Sequence, residues 1–502
     1  MRFSLTSLVS LSLSSLLSFQ LIAGSPGSVL VPRRASSILN DPAGQPPLPA
    51  PAAAAQAAAQ ASLNLNNIQG DILIGMKKKQ EVFFFFSINN VKTFKQRMKV
   101  LSLTVTTTTQ LLDVSKQPDA AVNVAFSQSG LTKLGITDSL NDTIYTNGQF
   151  ADAANLGDPG TTNWVNAFRG TGIHGVFLLA SDSIALINVE IIAVKALFGN
   201  SITEVYRLAG QARPGNQAGH EHFGFLDGIS QPAINGFAPP LPGQTPIDPG
   251  HILLGETGDS LTRPAWAKDG SFLAFRQLKQ LVPEFNQFLA NNPINQSGLT
   301  AKQGSDLLGA RMVGRWKSGA PVDLAPLFDD PVLGADPQRN NNFTFAHPGS
   351  DLTSDQSRCP FSAHIRKTAP RADFNPVNVN NHIIRAGIPY GPEVSPKEAA
   401  SNTTTTERGL AFVSYQSNIS QGFRFLQMSW ANNPRFIFGK SDPTPGFDPI
   451  IGANAGQSRF VSGLDPNDPN HDFTLTTDFV QSRGGEYFFS PSISALKTVF
   501  SS

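Results

Sequence analysis

Cysteine is almost missing from this chain of 502 residues: there is one, Cys359. A lone thiol excludes an intramolecular disulfide and any zinc or iron–sulfur site built from several cysteines. Charge is scarce too. Asp, Glu, Lys and Arg make up 15% of the residues, and the net charge is +1. Nucleic-acid binders carry a basic face, so no nucleic acid is expected as a partner. So little charge also argues against a coiled coil or a disordered chain. Beyond the first segment no span reads as long enough to cross a bilayer, and no membrane partner is expected. What is present is 40% hydrophobic residues, enough for a large core and two domains.

The N-terminus has the layout of a secretory signal over residues 1–24. Arg2 gives a positive start, Leu5–Ile22 is apolar and serine-rich, and Ala23-Gly24-Ser25 offers small residues for cleavage. Residues 25–62 contain Arg33-Arg34, a candidate processing site, and a Pro/Ala-rich run ending Pro46-Pro47-Leu48-Pro49-Ala50-Pro51. That composition cannot build a core of its own and reads as a propeptide or disordered leader. An extracellular destination gives meaning to five sequons, at Asn141, Asn295, Asn342, Asn402 and Asn418. A monomer is the default expectation for such a protein.

Folded structure is expected from Leu63. Val82–Ile88, Gly175–Ser181 and Ile202–Leu208 read as strands, with a helix from Ser183 to Phe198 stopped by Gly199. That helix is apolar nearly all round, as for one packed between layers. The β-α-β rhythm is that of a ferredoxin-like half. Gly409–Tyr415 is a further strand, followed by a helix from Ser420 to about Ala431. Residues 239–250, 323–355 and 440–471 read as long loops.

Three islands carry chemistry. The first is Gly224-Phe225-Leu226-Asp227-Gly228-Ile229-Ser230-Gln231-Pro232, a carboxylate among apolar residues bracketed by two glycines. Glycine permits unusual dihedrals or close approach to a ligand, and an acid in apolar surroundings is a common mark of a working site. The second is Cys359-Pro360-Phe361-Ser362-Ala363-His364-Ile365-Arg366-Lys367, and the third Ile384-Arg385-Ala386-Gly387-Ile388-Pro389-Tyr390-Gly391. In this order they resemble the dye-decolorising peroxidases, above all the secreted fungal members.

The resemblance implies an α+β fold of two ferredoxin-like domains, their antiparallel sheets enclosing one haem b. Residues 63–285 would form the first domain and 286–502 the second. It implies an enzyme that reduces hydrogen peroxide and oxidises bulky dyes and phenols. Peroxide must lose a proton from one oxygen and regain it on the other, which calls for a base and a positive group near the iron. Asp227 matches the distal acid–base, Arg385 its cationic partner and His364, among eight histidines, the proximal iron ligand. A carboxylate base works well below neutrality, so activity favoured at acid pH is expected. Arg366 is a candidate partner for a haem propionate. Leu410 and Phe412 match residues lining the distal pocket, and Asp448 is a candidate acceptor for the second N–H of the proximal imidazole. Trp430 matches a surface tryptophan, and Tyr390 a tyrosine, implicated in long-range electron transfer.

Rival readings remain open in the residues themselves. His347 is the runner-up ligand and Glu221 the rival acid. His220-Glu221-His222 places two imidazoles on one strand face, as a non-haem metal site would. A non-catalytic haem-binding module would keep His364 without needing Asp227 and Arg385.

Overall fold

Four consecutive phenylalanines, Phe83 to Phe86, are all at most 1% exposed. Successive strand side chains point to opposite faces, so this run demands a strand covered on both sides. The computed structural model, which describes residues 37–75, 77–374, 376, 378–440 and 444–502, provides that cover. The run lies in β1 (Gln80–Ile88), which is followed by β2 (Ala121–Phe126), β3 (Gly175–Ser181) and β4 (Ile202–Gln211). Then come β5 (Ser271–Gln280), β6 (Ile384–Arg385), β7 (Ile388–Tyr390), β8 (Gly409–Gln416) and β9 (Val480–Ser490). Their order in the sheet is β5-β9-β2-β3-β1-β4-β7-β8-β6, and β5 also pairs with β8. The sheet therefore closes on itself.

All these pairings are antiparallel. Two ferredoxin-like halves are visible in the ring, β2-β3-β1-β4 and β9-β5-β8 with β6 and β7. Each seam between them is one residue pair, Phe489 with Phe126 and Gly210 with Tyr390. The expected boundary, 285/286, lies after β5. β5 pairs with β8 and β9, so the second half already includes residue 271.

Phe83 and Phe85 face the interior of the ring with Phe275, Phe168 and Phe488, at ring separations of 5.0–6.1 Å. Phe84 and Phe86 face outward onto Phe177 and the helices Val91–Leu101 and Ile184–Phe198. The interior is thus filled with aromatic side chains. The resemblance implied a haem enclosed between sheets, but the large cavity lies elsewhere. Arg276, Leu278, Leu410 and Phe412 line it, alternating along β5 and β8 with the inward Phe275, Ala411 and Val413. The cavity therefore sits on the outer face of the second half.

Two further expectations change. Helix Ile184–Phe198 is not sandwiched: Ile187, Ile191, Val194 and Phe198 bury one side, while Ile184, Val189 and Ile192 are 43–51% exposed. With the turn that follows, Ile184–Ser201 has a mean hydropathy of 1.5 over 18 residues, enough by length and composition to cross a membrane. Its buried side docks on the sheet, which accounts for the apolar residues on that side. The disordered alternative for the leader is the second change. The signal segment and Arg33-Arg34 lie outside the described residues, but residues 37–62 are packed. Ile38, Leu39, Ala54 and Ala58 are buried in the core, the last two on helix Pro51–Gln60. Alanine-rich sequence cannot make a core, yet small side chains lie flush on one made by other residues.

Glu486 on β9 is buried, accepting hydrogen bonds from the backbone N–H groups of Gln149 and Tyr487 at 3.0 and 2.7 Å. Burial outweighs those bonds and pushes its carboxyl up to about 7 from 4.5. The folded protein then holds a proton that the unfolded chain releases over this interval, so Glu486 makes the fold more stable as pH falls from 7 to 4.5. The contribution is about 3 kcal/mol. Urea unfolding across that range is expected to show this slope in the wild type and its loss in Glu486→Gln.

Candidate active site

Both glycines around Asp227 take conformations that a side chain would strain, with φ of +96° at Gly224 and +80° at Gly228. They turn the loop so that the Asp227 backbone N–H donates to Gly219 O at 3.0 Å and its carboxylate meets Arg385. Arg385 Nη1 donates to Asp227 Oδ1, and Nη2 donates to Ser230 O at 3.0 Å. The same motif also grips the arginine's backbone. Gln231 Nε2 donates to Arg385 O at 2.8 Å, while Arg385 N donates to Gln231 Oε1 at 3.0 Å. Ser230 and Gln231 thus have duties that their place in the motif hid.

Asp227 and Arg385 line a cavity of about 330 Å³ together with His364, Leu410, Phe412 and Trp430. His364 opens a short helix, His364–Thr368. Its Nδ1 pairs with Asp448 Oδ2 at 2.8 Å, leaving Nε2 as the ring's remaining donor atom. Asp448 is fully buried and accepts the backbone N–H groups of Ile450 and Ile451 at 2.8 and 3.0 Å. Burial opposes charge on the imidazole, but Asp448's charge and hydrogen bond outweigh it and raise His364's proton affinity. Burial likewise opposes the carboxylate, yet His364 and the two N–H groups hold Asp448 below the usual range.

Other expected positions are placed differently. Arg366 does not line the cavity. Its guanidinium is spent on Asp373, at 2.8 and 2.9 Å, and on Cys359 O at 2.6 Å, between the rings of Phe345 and Phe361. Arg315 and Arg371 line it instead, both bound to Asn341 and flanking the Phe343 ring. Burial pushes them down to about 9 and about 10. Nothing in their local sequence announces this. Trp430 is not a surface residue: it is 4% exposed and stacks on Phe436 at 4.9 Å and 7°. Phe436 in turn touches Phe438, which is 62% exposed. Tyr390 is buried outside the cavity lining, its hydroxyl donating to Glu407 at 3.1 Å. Burial and Glu407's charge push its phenol up.

The rivals fare less well. His347 pairs with Asp323 at 3.0 Å, away from the cavity. Glu221 does line the cavity but accepts from Phe223 N, Phe225 N and Gln280. His220 and His222 each pair with a backbone carbonyl, at 3.2 and 2.9 Å. Among the described residues no three His, Cys, Asp or Glu side chains form a group that could hold a metal ion.

Comparison with known proteins agrees with this architecture. Residues 67–214 match the model of the DyP dimeric alpha+beta barrel domain, and residues 260–436 that of the C-terminal part of Dyp-type peroxidases. Peroxidase 2 of Mycetinis scorodonius is 60% identical over 94% of this chain and 95% of its own. A dye-decolorizing peroxidase of Auricularia auricula-judae is 56% identical over 95% of this chain and 93% of its own. A crystal structure of a decolorizing peroxidase from that fungus superposes with a TM-score of 0.86, covering 88% of this chain and 100% of that one. Such likeness defines a peroxidase. The chain belongs to the dye-decolorizing peroxidase family, and it is accordingly a haem enzyme that consumes hydrogen peroxide and oxidises dyes. The cavity suits that group: it pairs apolar walls with an imidazole whose second nitrogen is already engaged, and it includes arginines in its lining.

Removing Asp448's charge leaves burial as the main influence on His364. In haem-free Asp448→Asn, the His364 titration followed by NMR is expected to move to lower pH than in wild type.

Proposed function

We propose that His364 is the iron ligand, Asp227 the acid–base and Arg385 the charge stabiliser of this peroxidase. The observation that carries this reading is that Asp227, Arg385 and His364 line one cavity, with Asp448 buried behind the His364 ring. Haem, when bound, supplies the redox-active iron at which peroxide is split and to which electrons from the reductant pass. Asp448 orients the His364 ring and strengthens its remaining nitrogen as a donor. Asp227 takes the proton from one peroxide oxygen and returns it to the other, so that water leaves. Arg385, fixed by Gln231 and Ser230, balances the charge that develops. Leu410 and Phe412, half-buried on β8, narrow the approach. Arg276, Arg315 and Arg371, which line the cavity where Arg366 does not, are the candidate cations for the haem carboxylates.

Bulky dyes need not enter. The ring contacts Trp430–Phe436–Phe438 run from the cavity lining to an exposed side chain and support a route for electrons from outside. Tyr390 is a second candidate relay, with Glu407, which is partly exposed, placed to take the phenolic proton. The reductants in view are phenols and aromatic dyes. The reading includes a secreted monomer. Its N-glycans would sit on Asn141, Asn295, Asn342 and Asn402, which are exposed, in preference to the half-buried Asn418.

Replacing the acid–base should remove about 10²–10⁴-fold of the rate. In stopped-flow absorbance, Asp227→Asn is expected to retain its haem band but react with peroxide slower by that factor, and to lose the acid-favoured profile. A wild-type rate would sink the assignment. Trp430→Ser is expected to lower turnover of large dyes at least several-fold and to leave small phenols unchanged; undiminished dye turnover would exclude the route through Trp430.

A further inference from the structure

The loop that carries Asp227 is a short hairpin. Its stem pairs residues 219–221 with 225–227. Asp227 N donates to Gly219 O at 3.0 Å, His220 bridges to Leu226, and Glu221 N donates to Phe225 O at 3.1 Å. Gly224 closes the tip, its N–H donating to Glu221 O at 2.9 Å. A two-stranded hairpin is marginal by itself even when longer, so these pairs alone do not make it rigid. A carboxylate plugs the tip. Glu221 turns its side chain back into the loop, where Oε2 accepts from Phe223 N at 2.8 Å and Oε1 from Phe225 N at 2.9 Å. Oε2 also accepts from Nε2 of Gln280, which is 4% exposed at the end of β5. That strand pairs with β8, and β8 pairs with β6, which carries Arg385. Both members of the Asp227–Arg385 pair are thus referenced to one sheet, the arginine directly and the aspartate through Glu221.

We infer that Glu221 is a positioning residue for Asp227, holding the hairpin in shape and fastening it to β5. This role presupposes that Asp227 is the acid–base. Both oxygens of Glu221 are in use, so its neutral isostere cannot replace it. Glutamine offers one oxygen and sets an NH₂ group against an N–H donor at the other position. The stem then keeps its backbone pairs but loses what fixes its tip. The Asp227 carboxylate, at the far end of that stem, is held less well against Arg385. Small misplacement of a catalytic group is costly in rate.

The test uses the full-length holoenzyme with Glu221→Gln, with Asp227→Asn, and with Gln280→Met, which keeps the bulk and removes the tether. In Glu221→Gln, amide hydrogen exchange over residues 219–227 is expected to quicken several-fold. Its stopped-flow rate with peroxide should fall several-fold with a displaced pH profile, while KM for dye and the haem band stay as in wild type. Gln280→Met should change in the same direction by less. An unchanged peroxide rate and pH profile in Glu221→Gln, whatever the exchange shows, would overturn the positioning role. A loss as large as that of Asp227→Asn would overturn it too, since Glu221 would then be the acid itself. Should Glu221→Gln fail to fold, wild-type kinetics in Gln280→Met overturn it. The two assignments fail separately. If Asp227→Asn is as fast as wild type, the acid–base assignment is wrong. If Asp227→Asn is slow and Glu221→Gln is not, only the positioning role is wrong.

Discussion

Asp227 and Arg385 lie 158 residues apart and come from different halves of the barrel, yet their side chains meet. Holding them together is the constraint on which the site depends. A guanidinium and a carboxylate attract at any angle, so contact alone does not fix a geometry. The fixing comes from Gln231, whose amide pairs with both the N–H and the carbonyl of Arg385. One loop thereby grips the arginine by backbone and side chain together. The closed sheet provides the rest, since β6, which carries Arg385, is paired to β8 and cannot drift.

At the His364–Asp448 pair the logic is burial. Asp448 is fully buried, and an isolated carboxylate there would be costly. Three donors satisfy it: the His364 ring and the N–H groups of Ile450 and Ile451. The imidazole is consequently locked in tautomer and direction before any ligand arrives. The two pairs are thus built in contrasting ways, one steadied by a loop and one by the burial of its carboxylate.

Much of this was legible in the sequence where the signal is local. Strand runs such as Phe83–Phe86 announce double-sided burial, and the glycines around Asp227 announce a strained turn. The ferredoxin-like rhythm followed from element order. What escaped depends on tertiary neighbours. Arg366 sits in the motif beside His364, but Asp373 and Cys359 draw it away, while Arg315 and Arg371 arrive from segments with no mark on them. Trp430 is exposed or buried according to where Phe374 and Phe436 fall, and only the fold decides that. The packing of residues 37–62 was not legible because composition predicts what a segment can build, not what it can lean against.

The solitary cysteine has a consequence for how long such a catalyst lasts. Cys359 is 1% exposed, and burial pushes its thiol up to about 12. Oxidation of cysteine proceeds through the thiolate and needs access. Sealed and protonated, this sulfur is withdrawn from the peroxide the protein spends its life consuming. Met98 and Met312, equally susceptible by chemistry, are fully buried too. The interior that organises the active site therefore also acts as armour, and the enzyme's endurance is set by the same packing that sets its shape.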